Sequence, residues 1–451
     1  FAADPERPGR PRDLTPFAGV KAGVIALPRA TPRHVLVSLN LRARDLSDAY
    51  RLTIASGRLE LVGENPGSVQ SWRADRDGQV RAAFAQTPDG DHELLVRDDE
   101  EGPLRSIARF DNEDGGHPYA FRPDGEALWI GSARGADLSR LVEIEIATGD
   151  ETVIHEDEQA DLGGPIISGV TGELLAAHYR RDRVVVECFD ETFARDWNAL
   201  ADIHPGDPAI VSETADESTW IVTFDDDRDP GASYLVERGG AARFLHRPRP
   251  WLPSEDLARM TPTVITSRDG LPLRSYLTLP VGVEPRGLPA VLVVHGGPWS
   301  RDAWGYDAQA QFLANRGYAV LQINYRGSTG FGKSFMHAAE KEFAGKMHDD
   351  LIDGVEWLVD EGIADRDRIG IFGGSYGGYA TLVGVTFTPD VFAAACSYVG
   401  PSSLVTLIRS FPVYWRPFLE GSWFRYVGDP DDPDQLADLE ARSPLNKVDQ
   451  I

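Results

Sequence analysis

A short pattern recurs through the first half of the chain and limits what that half can become. "LTIASGRLELV" (52–62) and "IEIATGDETVI" (144–154) each read as an alternating apolar strand, a tight turn at a glycine and a second alternating strand. "YLVERGGAARFLH" repeats the design around Gly240 and "LLVRDDEEGPLRSI" centres it on Gly102. A blurred copy, "VVVECFDETFARDW", turns near Thr192, and "ADPERPGRPRDLT" turns at Gly9. Successive turns are 43 to 48 residues apart. Each interval also has room for an earlier strand pair, as in "EALWIGSARGADLSRLVEI", which follows the turn "PDG" at 123–125. Four short strands cannot bury their apolar face alone, so units of this period stack as blades. The expectation is a β-propeller over residues 1–250, with about five whole blades and a partial one; an irregular all-β sandwich is the alternative. Only the last hairpin of the sixth unit is present, at 1–15, and a propeller does not open with half a blade. The chain is therefore expected to be a piece of something longer.

With 451 residues, 42% of them apolar, the chain can bury more than one core, and two or more domains follow. No apolar run approaches the roughly 20 residues needed to cross a bilayer, so no membrane partner is expected. Acids outnumber bases 71 to 45, and a net charge of −26 repels phosphate backbones, which argues against nucleic acid as a partner. Five lysines stand against forty arginines. An acidic, lysine-poor surface suits a salty cytoplasm, and biased base composition of the gene explains it equally well; the expected compartment is the cytoplasm. Cys188 and Cys396 fall in different expected domains, so neither a disulfide nor a metal or other cofactor is anticipated.

After a proline-rich linker at 251–262 the period changes, and residues 263–451 alternate strands with helices. A hairpin turning at Asp269-Gly270 leads to the continuous apolar strands "AVLVVH" (290–295) and "YAVLQIN" (318–324), the signature of a parallel sheet covered on both faces. Met347, Leu351, Val355 and Leu358 repeat at helical spacing, with Gly362 as a stop. Next, "RIGIFG" is a short strand, "YGGYATLVGVTF" is a helix, and Ser375 lies between them in Gly373-Gly374-Ser375-Tyr376-Gly377. A strand, a sharp turn carrying serine and a helix make a nucleophile elbow: the apex side chain stands clear of the backbone and the helix N-terminus favours negative charge beside it. Ser375 is the candidate nucleophile. The loop "HGGPWSRD" (295–302) supplies the other half of an oxyanion hole, whose expected donors are the N–H groups of Gly297, with Gly296 as the alternative, and of Tyr376. His295, ending a buried strand, is expected to order this loop, and the pair Asp349-Asp350 to start and cap a helix.

"HGGPWSRD", "NYRGSTGFGKSF" (324–335), "MHDDL" (347–351) and "GGSYGGYA", in that order, make the chain resemble the prolyl oligopeptidase family of serine peptidases, in its acylaminoacyl-peptidase-like branch. The resemblance implies a propeller followed by an α/β-hydrolase domain with a doubly wound, mostly parallel sheet, and an active site in a cavity between them that admits short peptides. It implies that serine attacks the substrate carbonyl, histidine takes the proton and aspartate orients the histidine. It places Tyr325, Arg326, Phe331, Val399 and Leu404 around the substrate pocket, with Tyr376 at its floor, although an arginine in a glycine loop serves equally as a structural hydrogen-bond hub. Assembly of identical copies is left open.

Chain order in such hydrolases runs serine, acid, histidine. All ten histidines precede Ser375, so the acid and the base are expected beyond residue 451, the hydrolase sheet is expected to be truncated at its C-terminal end, and these residues alone are expected to be inactive. The leading reading is a serine peptidase acting on short peptides through an acyl-enzyme. The alternatives are an esterase or amidase acting on non-peptide acyl groups, and a catalytically inactive propeller–hydrolase scaffold.

Overall fold

The computed structural model describes every residue except Pro5, leaving out the side chains of residues 4, 7, 8, 10, 417 and 418. The chain forms two compact units: residues 1–158 with 171–173 and 411–424, and residues 159–170 with 174–410 and 425–451.

The first unit holds a two-stranded ribbon and three four-stranded antiparallel sheets in chain order, their strands spanning Ala22–Ala26 to Leu59–Gly63, Val69–Ala74 to Arg105–Phe110, and Gly115–Phe121 to Glu151–His155. The turns expected at Gly57, Gly102 and Gly149 each join the last two strands of their sheet. Alternation explains the packing. Ala82, Leu94, Val96 and Phe110 of one sheet meet Phe121, Leu128, Ile130, Val142 and Ile144 of the next. Leu36, Ala49 and Val62 likewise meet Val69, Trp72 and Val80. Each of the larger side chains contributes about 2 kcal/mol by leaving water.

Two turns differ from expectation. In the opening ribbon Asp4 pairs with Arg7 and Ala2 with Arg12, so the chain reverses before Arg7 and Gly9 lies inside the strand Arg7–Arg12. Near Thr192 there is no hairpin: the sheet of Leu162–Ile167, Leu174–Arg180 and Val184–Cys188 has three strands, followed by a helix, Glu191–Asn198. Asp190 caps that helix by accepting from the Phe193 N–H at 2.6 Å. Phe193 and Trp197, four residues apart, stack at 5.8 Å, and Phe193 packs on Trp220 of the following sheet. The apolar face of the missing strand is thus supplied by a helix, and the number of complete four-stranded sheets before the mixed sheet is four.

The second unit holds this three-stranded sheet, the four-stranded sheet Asp207–Glu213 to Ala242–His246, and a six-stranded mixed sheet. The change of architecture falls after Ala242–His246 and before Met260–Thr266, whereas the two compact units divide elsewhere, around residue 158. In the mixed sheet Met260–Thr266, Pro272–Thr278 and Ala319–Ile323 run antiparallel to their neighbours in turn, and Ala319–Ile323, Leu288–Val294, Ala364–Gly374 and Ala394–Tyr398 are parallel. Leu292, Leu321 and Ile323 are wholly buried, as strands covered on both faces require. The architecture is a β-propeller followed by an α/β-hydrolase fold. Among the described residues no helix is long and apolar enough to cross a membrane.

Candidate active site

The strand Ala364–Gly374 has parallel partners on both sides, Leu288–Val294 and Ala394–Tyr398, and the helix Tyr376–Phe387 begins two residues after it ends. The single residue between them is Ser375. Its backbone adopts φ +56° and ψ −118°, a left-handed conformation that costs a non-glycine residue roughly 1–3 kcal/mol. Two backbone hydrogen bonds hold it there: the Ser375 N–H donates to Tyr398 O and Ser375 O accepts from the Tyr379 N–H, both at 3.0 Å. The side chain is exposed.

The neighbouring glycines are required by close approach. A Cβ on Gly377 would overlap the Val294 carbonyl, and one on Gly378 would lie 2.7 Å from Gly400 Cα. The helix therefore starts directly against the ends of both adjacent strands. Gly296 closes from a third side, where a Cβ would stand 3.1 Å from Gly374 O and 3.4 Å from Ser375 Cβ. The Tyr376 N–H opens the helix and has no intrahelical acceptor, so partial positive charge gathers beside Ser375 Oγ. A backbone donor of this kind beside an exposed hydroxyl can stabilise a tetrahedral oxyanion.

His295 is not at the serine. Its ring stacks on Tyr325 at 4.4 Å, Nδ1 lies 2.8 Å from Gly296 O and Nε2 lies 3.0 Å from Ser328 Oγ. Burial pushes its pKa down to about 4, so the ring is neutral and orders the glycine loop, as its position at the end of a buried strand implies. Among the described residues no side chain hydrogen-bonds Ser375 Oγ, and no group of three His, Cys, Asp or Glu is placed to hold a metal.

Three of the five residues assigned to the substrate pocket are core. Tyr325 is wholly buried and donates its hydroxyl to His295 O at 3.0 Å. Leu404 is wholly buried at the start of the helix Leu404–Arg409. Arg326 is a hub: Nε and Nη2 donate to the two oxygens of Asp350 at 2.9 and 2.7 Å, and Nη1 and Nη2 donate to Asp269 at 2.9 Å. With four of its five side-chain N–H donors given to two carboxylates and its side chain buried, Arg326 serves as this structural hub. Asp350 correspondingly does not cap a helix; it is wholly buried, and its pKa is raised by burial against the pull of Arg326. Asp269 is held well below the usual carboxylate range by hydrogen bonds from Arg326 and Ser267. The Tyr376 ring also faces inward, 4.9 Å from Phe343 and 5.3 Å from Tyr325, and so packs into the core and does not floor a pocket. Phe331, half-buried under the Arg301 guanidinium at 4.2 Å, and Val399, exposed with φ +48°, keep free surface. Sequence reading missed the role of Tyr398, whose carbonyl fixes the Ser375 backbone; a main-chain acceptor carries no residue-type signal.

The sequence profile of the prolyl oligopeptidase family matches residues 304–451. The chain is 40% identical to dipeptidyl aminopeptidase BIII of Pseudoxanthomonas mexicana across 98% of its own length and 66% of that protein. The chain belongs to the prolyl oligopeptidase family. To the acylamino-acid-releasing enzyme 2 of Oryza sativa subsp. japonica it is 28% identical over 36% of its length and 22% of that enzyme. The chain thus spans 66% and 22% of the lengths of these two relatives. A solved puromycin-hydrolysing peptidase of Mycobacterium tuberculosis shares the fold, with a TM-score of 0.76 at 23% identity over 96% of this chain and 69% of that one.

Proposed function

We propose that the protein is a serine peptidase that hydrolyses short peptides through an acyl-enzyme, with Ser375 as nucleophile and the N–H groups of Tyr376 and Gly297, or Gly296 in its place, as oxyanion donors. The observation that carries this reading is the Ser375 backbone: a left-handed serine, strained and exposed, is pinned at the start of a helix by Tyr398 O and the Tyr379 N–H. An ordinary loop has no reason to hold a serine there. Ser375 Oγ attacks the scissile carbonyl, a base takes its proton, and the oxyanion forms against the two N–H groups. Collapse expels the leaving amine with a proton returned from the base, and water then hydrolyses the ester. The base in this reading is a histidine oriented by an acid.

Similarity to a dipeptidyl aminopeptidase across nearly the whole chain supports release of dipeptides from free peptide N-termini over release of N-acylated residues. The test uses the full-length gene product. An organophosphate probe is expected to label Ser375, and Ser375→Ala to abolish labelling and lower kcat by about four orders of magnitude or more. Labelling that persists in Ser375→Ala would refute the assignment. Dipeptidyl aryl amides are expected to turn over faster than N-acetyl-aminoacyl amides; turnover of simple aryl esters alone would move the protein to the esterase reading.

A further inference from the structure

Among the described residues, three buried oxygens of the hydrolase fold have no hydrogen-bond partner: Asp302 Oδ2, Gln322 Oε1 and Thr278 Oγ1. Tyr276 faces Gln322 and Thr278 faces Val320 across one antiparallel pair, so the Thr278 and Gln322 side chains emerge on the same side of the sheet. Asp302, at the end of the glycine loop, reaches that side. Gln322 Nε2 donates to Asp302 Oδ1 at 3.3 Å. The amide and the carboxyl joined by this bond each keep a second oxygen that is buried and without a partner. Both of those are acceptors if the carboxyl is ionised, and burial makes two acceptors without a donor costly. A single proton resolves the conflict.

We propose that Asp302 is held as a carboxylic acid whose Oδ2–H donates to Gln322 Oε1, closing a two-bond acid–amide ring, and that this neutral ring positions the glycine loop 295–302.

The loop is pinned at both ends. His295 and Tyr325 fix its start. At its end the Asp302 N–H donates to Asn324 Oδ1 at 2.7 Å, and Asn324 Nδ2 donates back to Asp302 O at 3.3 Å. Gln322 and Asn324 lie at and just past the end of one strand and are buried, so backbone and side chain of Asp302 are clamped by the same rigid edge. The charged and titratable groups around the carboxyl are few. Arg301, whose Nε donates to Asp302 O at 3.2 Å, favours the ionised form; Asp307, the cap of the helix Ala308–Ala314, opposes it; and Tyr325 feels the carboxyl from its own strand end. Burial first and Asp307 second push the Asp302 pKa up to about 7, against Gln322 and Arg301.

The sign of the pH dependence follows. An unfolded aspartate titrates near about 3.9. Between that value and about 7 the native state holds a proton that the unfolded state has released, so stability falls as pH rises through this window and is level above it.

Asp302→Asn, made in the full-length protein, replaces the acid by an amide that donates to Gln322 Oε1 and accepts from Nε2; the ring survives without a titratable group. Wild-type minus Asp302→Asn difference infrared spectra at pH 6 are expected to contain the carbonyl band of a protonated carboxyl, which disappears as pH passes about 7. The melting temperature of Asp302→Asn is expected to gain on wild type as pH rises from about 4 to about 7, and to hold its lead above that. Absence of the band at pH 6, or parallel melting curves, would overturn the protonated ring in favour of an ionised carboxylate bridged by water. The kinetic arm alone rests on the peptidase reading. There Asp302→Asn keeps its wild-type kcat at pH 6, whereas Asp302→Ala loses about tenfold or more through a misplaced loop. Wild-type kcat in a folded Asp302→Ala would overturn the positioning role. Failure of Ser375 labelling would instead strike the peptidase reading and leave the infrared result standing.

Discussion

Gly57 and Gly377 are the same residue serving two different physical needs. Gly57, in a hairpin of the first unit, has φ +76° and open space where a Cβ would go; the turn needs only its conformation. Gly377, in the elbow helix, has ordinary helical geometry but no space, since a Cβ would overlap the Val294 carbonyl. The blades are built from local hairpins whose errors stay local. The elbow is built from three chain segments meeting at backbone distance, so an error at one position displaces all three.

That contrast breaks first at Gly377. Gly377→Ala is expected to cost more than about 4 kcal/mol, because neither the strand end nor the helix start can move without the other. Urea unfolding followed by fluorescence measures it, and a loss below about 1 kcal/mol would show the elbow to be as tolerant as a turn. Next in size is the hub beneath the site. Arg326→Met leaves the buried Asp350 carboxyl without its guanidinium partner, for about 3–5 kcal/mol, and adding Asp350→Leu is expected to recover most of it. A double variant no better than the single one would mean that the arginine stem, and not the charge pair, holds the loop. The smallest effects have opposite signs. Gly57→Ala should destabilise by about 1 kcal/mol, by forcing a side chain into a left-handed turn. Ser375→Gly should stabilise by about 1 kcal/mol, by releasing the same kind of strain. Equal signs in thermal unfolding would remove strain from the account of the elbow.

Much of this was legible in the residues. Glycines at fixed intervals between alternating strands marked the hairpins at Gly57, Gly102, Gly149 and Gly240, and the strand, serine and helix of the elbow followed from one change of period. The misses share a cause. "DETFARDW" can alternate as a strand or turn as a helix, and what decides is the Asp190 cap together with a place for Phe193 against Trp220, which lies in another sheet. Arg326 and Leu404 were assigned to a pocket because their motifs resemble those of the family. Their directions are set by partners, Asp269 and Asp350 for one and the buried core for the other, that no local pattern names.

By itself the sequence determined the two architectures and the serine between strand and helix at the elbow, because periodicity and glycine placement act through the local backbone. Tertiary structure decided which side chains face the site and which fill the core, and it brought Asp302 against Gln322 and Arg326 between two aspartates. Those outcomes depend on burial and on partners distant along the chain. A charge or a proton changes its meaning once water is excluded around it, and only the folded protein determines where that happens.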